Sequence, residues 1–289
     1  MSGGGGEHGG TGASVPSAAL YAALAAVYDR WQASDGTPFS HLALAQLEPA
    51  LARHRRATSV ASFVDLGCGT GELLLALRAR HPNWRLCGVD ASAEMLAVAR
   101  AKTNAAGIAW RASALERADQ ALGTERFDTA GAFYDTLNHL PDRAALARAF
   151  RAVARLLVPG GLFVFDVTNA LGFRRWWTGN RTWRGAGWQV RVEMAYHPAA
   201  SDAEAAATGS TGTGLADVTV IEEKGIARRA AIAERCFADP VIRSTLAEAG
   251  LRVESVRSWA PFDIDAEGKT LFFAIKESNA SELTMRTLR

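Results

Sequence analysis

The residues best suited to chemistry fall in two stretches. The first is Val64-Asp65-Leu66-Gly67-Cys68-Gly69-Thr70-Gly71, an apolar run entering three alternating glycines, with Asp90 nineteen residues beyond Gly71. Glycines allow a tight turn and let a ligand approach the backbone closely. A helix starting there adds unpaired N–H donors and a partial positive field, which suits an anionic group such as a carboxylate. A dinucleotide fingerprint has its third glycine three residues after the second. Here Glu72 holds that position and Gly71 comes early, so the spacing argues for a ligand without a diphosphate. Asp90 ends the next apolar run, where a carboxylate can accept both ribose hydroxyls. Its competing role is to cap the following helix, a role that Ser92 already fills.

The second stretch is Phe133-Tyr134-Asp135-Thr136-Leu137-Asn138-His139, a dense polar group between apolar runs. An unperturbed histidine titrates near neutrality, so His139 suits a general base, and loop packing is its equal competitor. Tyr21 and Tyr28 recur at a spacing that puts both on one face of a helix over Ser17–Ala33, and core packing is the plainer expectation for Tyr21. Basic and aromatic residues mix from Phe173-Arg174-Arg175-Trp176-Trp177 through Trp183-Arg184 to Trp188. That mixture fits a single-strand nucleic-acid platform, the wall of a small-molecule pocket, or plain hairpin packing. The net charge of +2 favours the latter two.

These residues need a sheet to position them. Short apolar strands are expected at Ser62–Leu66, Trp84–Val89, Ile108–Arg111, Phe127–Phe133 and Leu162–Val167. Helices alternate with them: Glu72–Arg80, stopped by Pro82; one capped by Ser92 and ending near Gly107; and one capped by Asp142 and ending at Pro159-Gly160-Gly161. Such alternation implies a parallel sheet covered on both faces, with ligands at the carboxyl ends of the strands. A further helix is expected over Ser40–Arg53. After Asn169 the alternation stops. Trp183–Tyr196 and Leu215–Cys236 are expected as antiparallel strands, joined by a long mobile loop over Pro198–Gly214. Asp239 and Pro240 open a helix as cap and first residue, Gly250 stops it, and Leu251–Ala260 and Thr270–Lys276 close the fold as a strand pair.

The fold class expected is therefore α/β: a Rossmann-like doubly wound sheet, mostly parallel with an antiparallel final strand, plus a small antiparallel β insertion. The expected organisation is a glycine-rich disordered tail over 1–16, lid helices over 17–58, a nucleoside-binding core over 59–169, a lid insertion over 170–236, the rest of the core over 237–277, and a polar tail over 278–289.

Asp65-Leu66-Gly67-Cys68-Gly69-Thr70-Gly71 resembles motif I of the class I S-adenosylmethionine-dependent methyltransferases. Gly88-Val89-Asp90 with Ser92-Ala93-Glu94-Met95-Leu96, then Phe127-Asp128, then Leu157-Val158-Pro159-Gly160-Gly161 resemble the family's following segments in order. The resemblance implies S-adenosylmethionine as cofactor, S-adenosylhomocysteine as product, and no metal. It places Gly67, Cys68 and Gly69 under the methionine part, Asp65 at its amine and Asp90 at the ribose. Ala91 and Met95 would flank the adenine, with Ser113 and Ala114 where the family often carries an acid for the adenine amine. Phe133 and Asn138 would also reach the cofactor. His139, Tyr134 and Tyr28 are the candidate catalytic residues; Tyr28-Asp29 resembles the Tyr-Asp of lid helices in this family. The insertion Ala170–Cys236 resembles the antiparallel lid of small-molecule N-methyltransferases. The segment after the fourth strand lacks the Pro-Pro-Tyr/Phe signature of the nucleic-acid amino-methylating branch.

Composition bounds the remaining choices. At 48% hydrophobic and 21% charged the chain is of ordinary globular make-up. The three cysteines, Cys68, Cys87 and Cys236, are odd in number and far apart, without metal-ligand spacing. They point to a reducing, cytoplasmic setting. No apolar run reaches the ~18 residues a membrane span needs, and no signal peptide is evident. The expectation is a methyltransferase acting on N or O of a small-molecule acceptor, with nucleic acid and membrane not expected as partners and the oligomeric state open, a homodimer included. The competing readings are a non-catalytic S-adenosylmethionine-binding partner subunit and an RNA methyltransferase.

Overall fold

The computed structural model describes residues 17–34, 36–54, 61–222, 225, 227–261 and 267–278. The expected glycine-rich tail over 1–16 and most of the polar tail lie outside them.

Two short helices, α1 (Ser17–Leu24) and α2 (Tyr28–Ser34), replace the single N-terminal helix expected. The Val27 N–H closes a four-residue turn on the Leu24 carbonyl at the break. Then come α3 (Phe39–His54), β1 (Ser62–Leu66), α4 (Glu72–Arg80), β2 (Arg85–Asp90), α5 (Ala93–Ala101) and β3 (Ile108–Ala112). After these follow α6 (Ala118–Leu122), β4 (Phe127–Ala132), α7 (Arg143–Leu156), β5 (Leu157–Thr168) and α8 (Ala170–Trp176). The inserted strands are β6 (Thr178–Gly185), β7 (Trp188–Pro198), β8 (Ser210–Glu222) and β9 (Ala227–Phe237), with α9 (Asp202–Thr208) between β7 and β8. The chain closes with α10 (Asp239–Glu248), β10 (Leu251–Trp259) and β11 (Lys269–Lys276).

The first sheet has the order β10-β11-β5-β4-β1-β2-β3. All neighbours from β5 to β3 run parallel, while β11 runs against both β5 and β10. The order reverses between β1 and β4. In a doubly wound sheet that switch point opens a crevice at the carboxyl ends of the strands. Every residue of β1 is buried, as a central strand covered on both faces requires. On one face, Phe127, Phe150, Phe163, Phe165, Phe272 and Leu246 form a core with α7 and α10. On the other, Leu44, Leu47, Leu74, Leu77, Phe63 and Phe273 pack α3 and α4 against the strands. Burying each such side chain is worth roughly 1.5–3 kcal/mol before entropy is counted.

The second sheet is all antiparallel, in the order β6-β7-β8-β9. It differs from the sequence expectation in three ways. Trp183–Tyr196 is a hairpin turning at Ala186–Gly187, not one strand, because Gly187 takes a positive φ of 75°. Leu215–Cys236 is likewise split between β8 and β9. The segment expected to be a mobile loop, Pro198–Gly214, carries α9 and lengthens β8. Ser201 accepts the Glu204 N–H as a cap, alanines fill the helix, and Gly209 ends it in the left-handed region. At α10 the cap is Ala238, so Asp239 lies in the first turn. Pro159-Gly160-Gly161 belongs to β5, as an irregularity in its pairing with β4.

The inserted sheet is fixed to the core by a third cluster: Leu24 and Val27 from the N-terminal segment, Met95 of α5, Phe173, Trp177, and Val190 and Val218 of the sheet. Phe173, Trp176, Trp177 and Trp188 are all buried, as hairpin packing requires.

Candidate active site

Strand β1 delivers the glycine turn to the switch point. The N–H groups of Gly67 and Cys68 both donate to the Val89 carbonyl, at 2.7 and 3.1 Å, which pins the turn to the end of β2. Gly67, Gly69 and Gly71 all have positive φ, at 76°, 51° and 81°. Two of them also serve proximity. A Cβ on Gly67 would strike the Thr136 side chain, and one on Gly71 would strike Trp110. A Cβ on Gly69 would meet nothing within 4 Å, so the turn presents open backbone there.

Asp90 takes two backbone hydrogen bonds, from the Gly69 N–H and the Ser92 N–H, each at 2.8 Å. Burial raises its pKa, and these two donors oppose the rise. Ser92 caps α5 by accepting the Met95 N–H. Asp65 is buried at the foot of the turn, and no described residue donates a hydrogen bond to its carboxylate. Burial, and then the charge of Asp90, push its pKa up to about 8.

Two cavities meet over the turn. The larger, about 520 Å³, is lined by Asp90, Ala91, Met95, Ser113 and Ala114 on one side and by Tyr21, Tyr28 and His139 on another. The smaller, about 320 Å³, contains Asp65, Cys68, Thr70, Gln32 and Phe39. Tyr28, Gly67, Gly69, Phe133 and Tyr134 line both. All the cofactor-binding and catalytic candidates read from the sequence thus reach one or other cavity except Asn138. Its amide is fully buried and already committed: Oδ1 accepts the Thr168 N–H, and Nδ2 donates to the carbonyls of Thr168 and Arg235. Asn138 ties the segment after β4 to the inserted sheet and lines neither cavity. The Ser113 hydroxyl lines the cavity while donating to the Ala114 carbonyl.

The N-terminal helices close the turn from above. Asp29 of α2 accepts the Thr70 hydroxyl at 2.5 Å and pairs with Lys102 at 2.7 Å, and Lys102 also pairs with Glu72. Gln32 donates to the Tyr134 hydroxyl at 2.9 Å. Tyr21 packs edge-on to Tyr28 across the break between α1 and α2 and bonds His139 Nε2 at 2.9 Å. It lines the larger cavity as well as packing against the third cluster, as expected of it.

Beneath the segment after β4 lies a buried ionic cluster that single-sequence reading missed. Lys269 of β11 is fully buried and pairs with Asp135 at 2.5 Å and Asp166 at 2.7 Å. Burial alone would lower its pKa, but the two carboxylates reverse this and hold it above the ordinary lysine value. Asp166 also accepts the N–H groups of Tyr134 and Asp135. Those two residues are the only non-glycine positions with positive φ among the described residues, at 59° and 63°. Such conformations cost on the order of 1–3 kcal/mol each. The cluster holds the strained turn that aims Tyr134 and Thr136 into the cavities and starts the single turn ending at His139. Burial lowers the His139 pKa to about 4 and raises that of Tyr134 to about 12.

Among the described residues, no group of three or more His, Cys, Asp or Glu side chains is placed to hold a metal ion. No helix among them is long and apolar enough to cross a membrane.

Residues 63–161 match the family model for a methyltransferase domain. The structure resembles that of an S-adenosylmethionine-dependent methyltransferase from Clostridium acetobutylicum ATCC 824, with a TM-score of 0.69 at 17% identity, covering 90% of this chain and 100% of that one. It also resembles S-adenosylmethionine-bound CalS10, an amino pentose methyltransferase from Micromonospora echinaspora, with a TM-score of 0.63 at 22% identity, covering 86% and 96%. The chain has the class I S-adenosylmethionine-dependent methyltransferase fold, a Rossmann-like core with an antiparallel β insertion. In sequence it is 36% identical over 109 residues to a putative methyltransferase from Geobacillus sp. (strain WCH70), which is 36% of this chain and 41% of that protein. The chain spans only about two fifths of the length of the curated relatives it matches.

Proposed function

We propose that the protein transfers a methyl group from S-adenosylmethionine to a nitrogen or oxygen of a small-molecule acceptor. The observation that carries this reading is the donor set over the glycine turn. Asp65 offers a buried carboxylate without a partner, Gly69 an open stretch of backbone, and Asp90 a carboxylate at the mouth of the larger cavity. An ammonium beside Asp65 would supply the opposite charge its burial lacks, since a nearby cation favours the ionised form. A nucleoside ribose fits beside Asp90, and Ala91, Met95 and Ala114 offer small or flexible apolar contacts to a flat base. The residues present therefore fit the cofactor.

Bound there, S-adenosylmethionine supplies an electrophilic methyl group on a sulfonium. The chain's own work is to align the acceptor, exclude water and move one proton. Tyr28 and Tyr134 stand where the two cavities join, with raised pKa values that keep both hydroxyls protonated and able to donate. His139 is neutral at neutral pH and so has a lone pair to offer the acceptor's proton. The insertion supplies the rest of the cavity wall through Ala233 and Arg235 of β9. The acceptor of CalS10, an amino pentose, supports nitrogen as the first atom to test. Three unpaired, buried cysteines suit a reducing, cytoplasmic setting.

Calorimetric titration with S-adenosylhomocysteine tests the binding half of this proposal. Absence of binding at millimolar ligand to folded protein removes it. Methyl transfer across a panel of amines and hydroxylated small molecules tests the other half. Cofactor binding with no turnover on that panel, together with a co-purifying partner, would support a partner subunit instead. In the same assay His139→Ala separates base from bystander: turnover that survives at all pH values means that His139 is not the base.

A further inference from the structure

The two cavities over the glycine turn share five lining residues, Tyr28, Gly67, Gly69, Phe133 and Tyr134. Asp90 lines only the larger cavity and Asp65 only the smaller. With the ribose beside Asp90 and the methionine ammonium beside Asp65, the sulfur that joins these halves of the cofactor passes where the cavities meet. Apart from the two glycines, every side chain at that junction is an aromatic ring.

The junction holds no ionised group: among the described residues, no charged side chain lines both cavities. Arg235 is the one lysine or arginine on either wall, and it belongs to the larger cavity alone. On the smaller one, Asp29 and Glu72 are both paired with Lys102. A positive charge at the junction therefore meets rings. A cation within about 6 Å of a ring centroid is attracted by the ring's electron-rich face, most strongly where water is excluded.

The rings differ in what they already hold. Tyr134 has the Phe39 ring 4.4 Å from its own and the Lys269 ammonium 5.8 Å from its centroid. Phe133 is 6% exposed. Tyr28 opens α2 and is packed edge-on by Tyr21 at 6.1 Å and by Trp31 at 6.0 Å. Among the described residues, no lysine or arginine stands over its ring.

We propose that Tyr28 is the residue that tells the loaded cofactor from the spent one. Its ring, with Phe133 beside it, receives the sulfonium charge of S-adenosylmethionine and has no matching attraction for the neutral sulfur of S-adenosylhomocysteine. The inference rests on the cofactor reading of this site and extends it to discrimination between methyl donor and product. The strength of cation–π contacts sets the preference at about 2- to 30-fold. A product that has lost its charge then leaves a site suited to a cation, which favours exchange for fresh donor.

Calorimetric titration of the full chain with S-adenosylmethionine and with S-adenosylhomocysteine, without acceptor, tests the inference. The wild type should bind the sulfonium about 2- to 30-fold more tightly than the thioether. Asp65 and Asp90 attract the same charge from either side, so the ratio of the two dissociation constants in a variant isolates the ring. Tyr28→Leu should bring that ratio down toward one. Tyr28→Phe keeps the ring without the hydroxyl and should hold the wild-type ratio. Equal affinities in the wild type overturn the inference, even if Tyr28→Leu fails to fold. So does an unchanged ratio in folded Tyr28→Leu, or a ratio lost equally in Tyr28→Phe. Failure of both ligands to bind folded wild-type protein removes the cofactor reading itself, a result distinct from binding of both with equal affinity.

Discussion

Binding of S-adenosylhomocysteine should expel a proton from Asp65. Burial and then Asp90 hold this carboxyl at about 8, so at pH 7 about 0.9 of the ligand-free molecules carry the proton. An ammonium seated against the carboxylate favours the ionised form. Complete ionisation on binding therefore releases about 0.9 proton per ligand at pH 7, about half a proton at pH 8, and almost none above pH 9. Calorimetric titrations in buffers of different ionisation enthalpy read this number as the slope of observed against buffer enthalpy. Asp90 is also raised, so the contribution of Asp65 is the difference between wild type and Asp65→Asn. That difference should be about 0.9 proton at pH 7. Equal slopes for the two proteins, with ligand bound in both, would refute the reasoning. The stability of the ligand-free protein carries the same sign. The folded pKa lies above the unfolded value of 3.8, so the Asp65 contribution is fully present below pH 3.8 and is lost as pH rises toward 8. Asp65→Asn should flatten that decline in urea unfolding.

Other substitutions test the rest of the site. Asp90→Ala should weaken S-adenosylhomocysteine binding by about 1–3 kcal/mol through lost hydrogen bonds to the ribose; an unchanged dissociation constant would place the ribose elsewhere. Lys269→Met leaves two carboxylates buried against each other and should cost about 3–5 kcal/mol of stability in urea unfolding, with a loss under about 1 kcal/mol counting against a structural ion cluster. Gly88→Ala places a Cβ about 2.7 Å from both Cys68 Sγ and Trp110, so overpacking should cost about 1–3 kcal/mol; an unchanged melting temperature would mean that Trp110 yields freely.

The glycine turn and Asp90 were legible in the sequence because their demands are local. Gly67, Gly69 and Gly71 are fixed by backbone geometry within one turn, and Asp90 follows at the end of the next strand. The alternation of strands with helices likewise announced the mostly parallel core. What was hidden depends on pairing across the chain. Lys269 meets Asp135 and Asp166 from 134 and 103 residues away. A polar residue beside a candidate base looks like a site residue in the sequence, where the three hydrogen bonds that make Asn138 a tie do not show. The inserted sheet was blurred for a different reason. Its turns at 186–187 and its capped helix at Asp202–Thr208 lie in stretches of small residues, where composition suggests loop and the cap at Ser201 is the one local signal.

The break between α1 and α2 and the strand β9 together place one wall of the larger cavity in a different part of the chain from the wall beside the glycine turn. The wall beside the glycine turn is written between Gly67 and Leu115; the opposite wall draws on Tyr21, Ala233 and Arg235. Redesign can exploit that separation. If the proposed function holds, substitutions at positions such as Ala233 would reshape the room on one side of the cavity and leave the glycine turn and Asp90 as they are, so one scaffold could be retuned from a single strand.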